Sequence, residues 1–150
     1  MFTVDTSVHI NALNPAEEGS SDSQAFLEGL FGYPWPVYSP TVLLVEVAAA
    51  VARVFDDTER GLTVARAVRD LPGQIWVPLD KSLADEAGRL AAERRVRGAD
   101  AIYAAVAHRY GSSLITWDRQ QLERLQSTLP VLTPTEVLVD VDNPKKADED

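Results

Sequence analysis

No cysteine occurs anywhere in the 150 residues, which excludes a disulfide framework and any thiolate zinc site. A chain without disulfides suits a reducing cytoplasm. There is also no apolar run of the roughly 18–20 residues needed to cross a bilayer. The nearest, Val42–Val54, contains Glu46. The first ten residues lack a basic region followed by an apolar stretch, so no secretory signal is expected and a cytoplasmic protein is the default. Positive charge is scarce: 14 Lys and Arg face 23 Asp and Glu, a formal net charge of −9. That balance argues at first against a nucleic-acid partner, because phosphate binding normally rests on Lys and Arg. Part of the deficit is concentrated at the end. From Asp140 to Asp150 five acids outnumber two bases, net −3, which leaves −6 for the body.

What is present fits an ordinary globular chain, 45% hydrophobic and 25% charged, at the length of one domain. A core domain over residues 1–139 and a charged tail over 140–150 are expected. Phe2-Thr3-Val4 reads as a short strand that stops at Asp5. A brief helix over Thr6–Leu13 and a second over Ser20–Phe31 follow, the latter with Phe26, Leu27, Leu30 and Phe31 in a helical stripe, until Tyr33-Pro34-Trp35-Pro36 breaks it. Val37-Tyr38-Ser39 is a second strand. Thr41–Phe55 is apolar nearly all round and predicts a helix buried on both sides.

Further on, the pattern predicts a helix over Thr58–Leu71, a strand at Gln74–Val77, and helices over Asp80–Arg97 and Ala99–Tyr110. Ser113–Thr116 is a strand leading into Trp117-Asp118, Arg119–Leu125 a short helix, and Val131-Leu132 a fifth strand. Thr133-Pro134-Thr135-Glu136 has the chemistry of a helix start, and Asn143–Asp150 that of a frayed tail. Short strands separated by helices imply parallel crossovers. The expected fold is therefore α/β, a three-layer α/β/α sandwich around a mainly parallel sheet of about five strands. In such sheets function collects beyond the C-terminal ends of strands, where Asp5 and Asp118 fall.

Taken singly, three acids have a structural account. Asp5 and Asp118 could be helix N-caps, the latter with Gln121 as a capping box, and Asp100 suits the first turn of a helix. Glu46 has none, since an ionised carboxylate inside an apolar helix needs a partner or a metal and Arg53 lies two turns away. Together they form a stronger case. Four carboxylates converging in one cleft would repel one another without cations. Oxygen ligands with no cysteine and no suitable histidine pair select Mg²⁺ or Mn²⁺ over zinc. With those four acids neutralised, the body would carry only −2. Arg89, Arg94, Arg95 and Arg97 are the one basic cluster, and Glu86 and Glu93 interleave it. His9 and His108 sit in predicted helices without a matching partner and are expected to be structural.

Val4-Asp5-Thr6-Ser7, Val45-Glu46-Val47, Arg97-Gly98-Ala99-Asp100-Ala101 and Leu114-Ile115-Thr116-Trp117-Asp118, in this order, resemble the PIN-domain family, and within it the VapC-type toxins of prokaryotic toxin–antitoxin pairs. The resemblance spans Phe2 to about Val139. It implies a ribonuclease that hydrolyses RNA phosphodiesters with Mg²⁺ or Mn²⁺ held by Asp5, Glu46, Asp100 and Asp118. Ser7 and Thr116 match the hydroxyl positions that bond the acids, and Arg94, Arg95 and Arg97 are candidates for RNA contact. A VapB-type antitoxin and a homodimer are implied as partners. Where many relatives carry a further Asp, this chain has Gln120, which leaves one or two ions open. The alternative is a PIN fold that binds RNA or protein and turns over slowly or not at all. A phosphotransfer receiver would want a second acid beside Asp5, and a haloacid-dehalogenase-type phosphatase an Asp where Ser7 stands.

Overall fold

The chain is described by a computed structural model over residues 1–32 and 35–142. The expected break at Tyr33-Pro34 and the expected tail at Asn143–Asp150 lie outside the described residues. Five strands form one sheet: β1 (Phe2–Val4), β2 (Val37–Pro40), β3 (Gln74–Val77), β4 (Ser113–Ile115) and β5 (Val131–Leu132). Every neighbouring pair is parallel, in the order β3-β2-β1-β4-β5. The chain thus builds outward from β1 through β2 to β3, then returns to lay β4 on the other side of β1. The switch in order falls between β1 and β4, and the register Val4↔Ile115 brings their C-terminal ends level.

Helices cover both faces, because alternate strand residues point to opposite sides of the sheet. On one side Val4, Val37 and Ile115 meet Val8 of α1 (Thr6–Ala12), Phe26 of α2 (Ser20–Gly32) and Val137 of α8 (Pro134–Asp142). On the other, Leu114 meets α6 (Gly98–Tyr110), whose Ala101, Ala104, Ala105 and Ala107 are fully buried. Short alanine side chains let α6 lie close on the sheet. Leu83, Ala87 and Leu90 of α5 (Lys81–Arg94) pack outside it. The helix pair α3 (Val42–Phe55) and α4 (Thr58–Arg69) and the short α7 (Arg119–Leu125) complete the molecule. Among the described residues, no helix is long and apolar enough to cross a membrane.

Three details depart from the sequence-based expectation. The α3 helix is not buried on both sides: Leu43, Val47 and Val51 are buried, but Val45 is 68% and Val54 58% exposed. Its neighbours cover one face only. The α5 helix ends at Arg94 rather than Arg97, since Arg95 turns left-handed at φ 56° and leaves Val96 and Arg97 as a linker. A non-glycine C-cap gives little warning in sequence. Finally, α8 runs on to Asp142, past the expected start of the tail. Its start follows expectation: Glu136 Oε2 accepts from the Thr133 backbone N–H at 2.7 Å and Thr133 Oγ1 from that of Glu136 at 3.2 Å.

Candidate active site

Beyond the C-terminal ends of β1 and β4 lies a cleft of about 570 Å³, lined by Asp5, Glu46, Asp100 and Asp118 together with Thr6, Ser7, Arg97 and Trp117. Four acids from four distant segments thus share one cavity. Asp5 and Asp118 arrive as N-caps, accepting from the backbone N–H groups of Ser7 and Gln121. Asp100 projects from the first turn of α6, and Glu46 from the middle of α3. The capping accounts of these acids and their convergence hold at once. The capping box at Asp118 is only half made, because the Gln121 side chain turns away from the cap and donates to Asp100 Oδ1 at 3.1 Å.

Asp5 and Glu46 are each held by hydrogen bonds on one oxygen, Asp100 and Asp118 on both. Asp5 Oδ2 accepts from Ser7 Oγ at 2.6 Å and Thr116 Oγ1 at 2.9 Å. Those hydroxyls in turn accept from the backbone N–H groups of Trp117 and Asp118, which fixes the turn after β4 against β1. Glu46 Oε1 lies 2.9 Å from Thr6 Oγ1 and 2.6 Å from Tyr103 Oη, and those two oxygens are 2.6 Å apart. Three oxygens share two hydroxyl protons, so two of the three edges are hydrogen bonds at a time. This triangle is the partner that Glu46 required. Among the described residues, Arg53 makes no ion pair with it and is exposed.

The electrostatics record crowding of negative charge. Burial pushes the Asp5 carboxyl up to about 6, against the pull of the Ser7 and Thr116 hydroxyls, and repulsion from Asp100 and Glu46 adds to the rise. Asp100 is raised for the same reasons, burial first, with Arg97 opposing and Asp118 and Glu46 reinforcing. Tyr103 is also raised, by burial and by Glu46 and Asp5, so its phenol stays protonated and able to donate. Arg97 answers this charge: its Nε donates to Asp100 Oδ2 at 2.9 Å and its Nη2 to Asp118 Oδ2 at 2.6 Å.

An all-oxygen donor set of this kind suits a hard divalent ion. Among the described residues, no three acids already close into a direct coordination cage. The guanidinium of Arg97, lying across two of the carboxylates, is the cation that this arrangement holds. In donor type the four carboxylates suit a hard divalent ion, and the cleft around them is open.

Of the remaining sequence candidates, Ser7 and Thr116 meet at Asp5, as described, while only Arg97 of the basic cluster lines the cleft. Arg94 is half-buried at the end of α5, and Arg95 is the exposed left-handed residue after it. Gln120 is exposed and does not line the cleft. His9 is buried on α1 and His108 is exposed on α6, neither of them lining the cleft. Sequence reasoning missed the parts of Thr6 and Tyr103 at Glu46, and it placed Gln121 at the Asp118 cap without its bond to Asp100. It also missed how Trp117 is fixed. The indole Nε1 donates to Ser23 Oγ at 2.7 Å, and Gly19 sits so close, at φ 79°, that a Cβ there would meet Trp117 Cζ2 at 2.6 Å. Trp117 is a rigid wall of the cleft.

Known proteins share this architecture. The VapC20 sarcin–ricin loop cleaving toxin of Mycobacterium tuberculosis superposes with a TM-score of 0.68 at 18% identity, over 86% of this chain and 96% of that one. A toxin–antitoxin complex from Klebsiella pneumoniae gives 0.63 at 19% identity, over 89% and 98%. The VapBC2 structure from Rickettsia felis, bound to a promoter DNA fragment, gives 0.65 at 14%, over 88% and 97%. Likeness at such identities bears on the fold alone. No curated protein matches the sequence. The PIN domain profile, in contrast, matches residues 2–126, most of the chain and all four acids, and the chain therefore belongs to the PIN domain family.

Proposed function

We propose that this protein is a Mg²⁺- or Mn²⁺-dependent endoribonuclease acting in the cytoplasm as the toxin of a toxin–antitoxin pair. The observation that carries this reading is the convergence of Asp5, Glu46, Asp100 and Asp118 in one cleft of a PIN domain. These four residues would hold the ion, directly or through water. When bound, it supplies Lewis acidity that lowers the pKa of a water and offsets charge growing on the phosphoryl oxygens.

The chain's own residues do the positioning. Ser7 and Thr116 hold Asp5 on Oδ2 and leave Oδ1 facing its surroundings, while Thr6 and Tyr103 hold Glu46 on Oε1. Gln121 steadies Asp100 from behind. Hydrogen bonds to a carboxylate favour its ionised, ligating form. Trp117 offers a half-exposed aromatic surface beside Asp118, suited to contact with a base of a single strand.

The test is cleavage of RNA by the pure protein with Mg²⁺ or Mn²⁺, with and without chelator, beside Asp5→Asn and Asp100→Asn. Cleavage should require the ion and fall by several orders of magnitude in both variants. Activity that survives either substitution overturns the metal-nuclease reading. The partners follow from the same proposal: the Klebsiella and Rickettsia structures are toxin–antitoxin assemblies, which supports a VapB-type antitoxin here. Exposed Val45 of α3 and Leu62 of α4, which line one shallow groove, supply apolar surface for a homodimer. A strict monomer by sizing at micromolar concentration would count against the dimer.

A further inference from the structure

The hydrogen bonds of the cleft divide the eight carboxylate oxygens into two sets. Asp5 Oδ2, Glu46 Oε1, Asp100 Oδ1 and Asp118 Oδ1 are committed to Ser7 and Thr116, to Thr6 and Tyr103, to the Gln121 side chain and to the Gln121 backbone N–H, respectively. Among the described residues, Asp5 Oδ1 and Glu46 Oε2 accept no hydrogen bond. The other two uncommitted oxygens, Asp100 Oδ2 and Asp118 Oδ2, are the pair that the Arg97 guanidinium occupies. One side chain therefore sits on half of the oxygens that could face an ion.

We propose that Arg97 is a resident counter-cation that a divalent ion must displace from Asp100 and Asp118, so that this residue sets how tightly the cleft takes up metal. The inference rests on the metal-dependent reading above. Like charges cannot share the same two oxygens without strong repulsion, and the fork of a guanidinium spans two carboxylates as a single ammonium does not. Displacement is feasible because only the side chain has to move. Arg97 is 69% exposed in its side chain. Its backbone is fixed independently, in extended conformation as the residue before α6, with its carbonyl accepting from Ala101 N–H at 2.9 Å. Its side chain makes no capping bond that would tie it to the helix.

The test is direct binding of Mn²⁺ to the full chain, by calorimetry and by the electron paramagnetic resonance signal of the free ion, in wild type, Arg97→Met and Arg97→Lys. Arg97→Met should bind Mn²⁺ about tenfold more tightly, the effect of removing two solvent-screened ion pairs. Arg97→Lys should fall between the two. In chelator, Arg97→Met should melt lower than wild type, because Asp100 and Asp118 then repel unrelieved, and it should gain more from added Mn²⁺. Unchanged or weaker Mn²⁺ binding in Arg97→Met, with measurable binding in wild type, overturns displacement and leaves the nuclease reading intact. Failure of both proteins to bind Mn²⁺ at millimolar concentration overturns the metal reading, and displacement with it.

Discussion

Removing the Tyr103 hydroxyl would leave Glu46 Oε1 held by Thr6 alone. A hydrogen bond to a charged group is worth about 1.5–3 kcal/mol. If Glu46 serves as proposed, Tyr103→Phe should therefore lower kcat/KM for RNA by about ten- to a hundredfold and lower the melting temperature by several degrees, with the protein still folded at the assay temperature because the ring stays buried in the same space. An unchanged rate in a folded Tyr103→Phe protein would remove Tyr103 from the machinery. The four acids were legible in the sequence because each stands where an element begins, ends or turns apolar. Their supporting residues were not. Thr6 meets Glu46 across 40 positions and Tyr103 meets it across 57, so the triangle exists only once α1, α3 and α6 have packed. A tyrosine among alanines, as in Asp100-Ala101-Ile102-Tyr103-Ala104-Ala105, was the one local hint.

Between elements, α3 and α4 approach closely at Gly61. A Cβ on Gly61 would meet the Ala48 carbonyl oxygen at 2.5 Å and Ala52 Cβ at 2.9 Å. Alanine is the better helix former by about 1 kcal/mol, which on propensity alone would favour Gly61→Ala. Backbone cannot yield as a flexible side chain does, so the clash should prevail and cost about 1–3 kcal/mol net. Urea denaturation reads the effect as a lower midpoint, and cleavage per folded molecule should stay at the wild-type level because Gly61 does not line the cleft. A raised midpoint would mean that the two helices separate at little cost. Element types were readable from periodicity and capping chemistry, as at Thr133 and Glu136. Element surroundings were less so. An apolar run such as Val42–Phe55 signals burial, yet periodicity cannot say how many neighbours arrive, and here Val45 and Val54 remain uncovered. Likewise the pattern carried α5 on to Arg97, while the turn is made by Arg95, whose left-handed φ no residue type announced.

At the scale of the whole molecule, acid should act on stability through two buried groups of opposite sense. His9 is lowered from 6.5 to about 4 by burial, so the fold favours its neutral form. The stability it contributes is present above pH 6.5 and is lost as pH falls through about 4. Asp5, raised to about 6, acts the other way: its contribution is present below 3.8 and lost as pH rises through about 6. The two oppose in wild type, and the difference between wild type and His9→Leu isolates the histidine. Measured by denaturation, wild-type stability relative to His9→Leu should drop by up to about 3 kcal/mol from pH 7 to pH 4. A pH-independent difference would show that His9 titrates normally. The sheet order has a consequence of another kind. Because β1, the first strand made, lies at the centre, it gains its second neighbour only when Ser113–Ile115 has been synthesised, and Asp118 follows a few residues later. The cleft therefore cannot close on a growing chain until Asp118 has left the ribosome. If the protein cleaves RNA, the chain is harmless until that residue emerges, and a partner is needed only from then on.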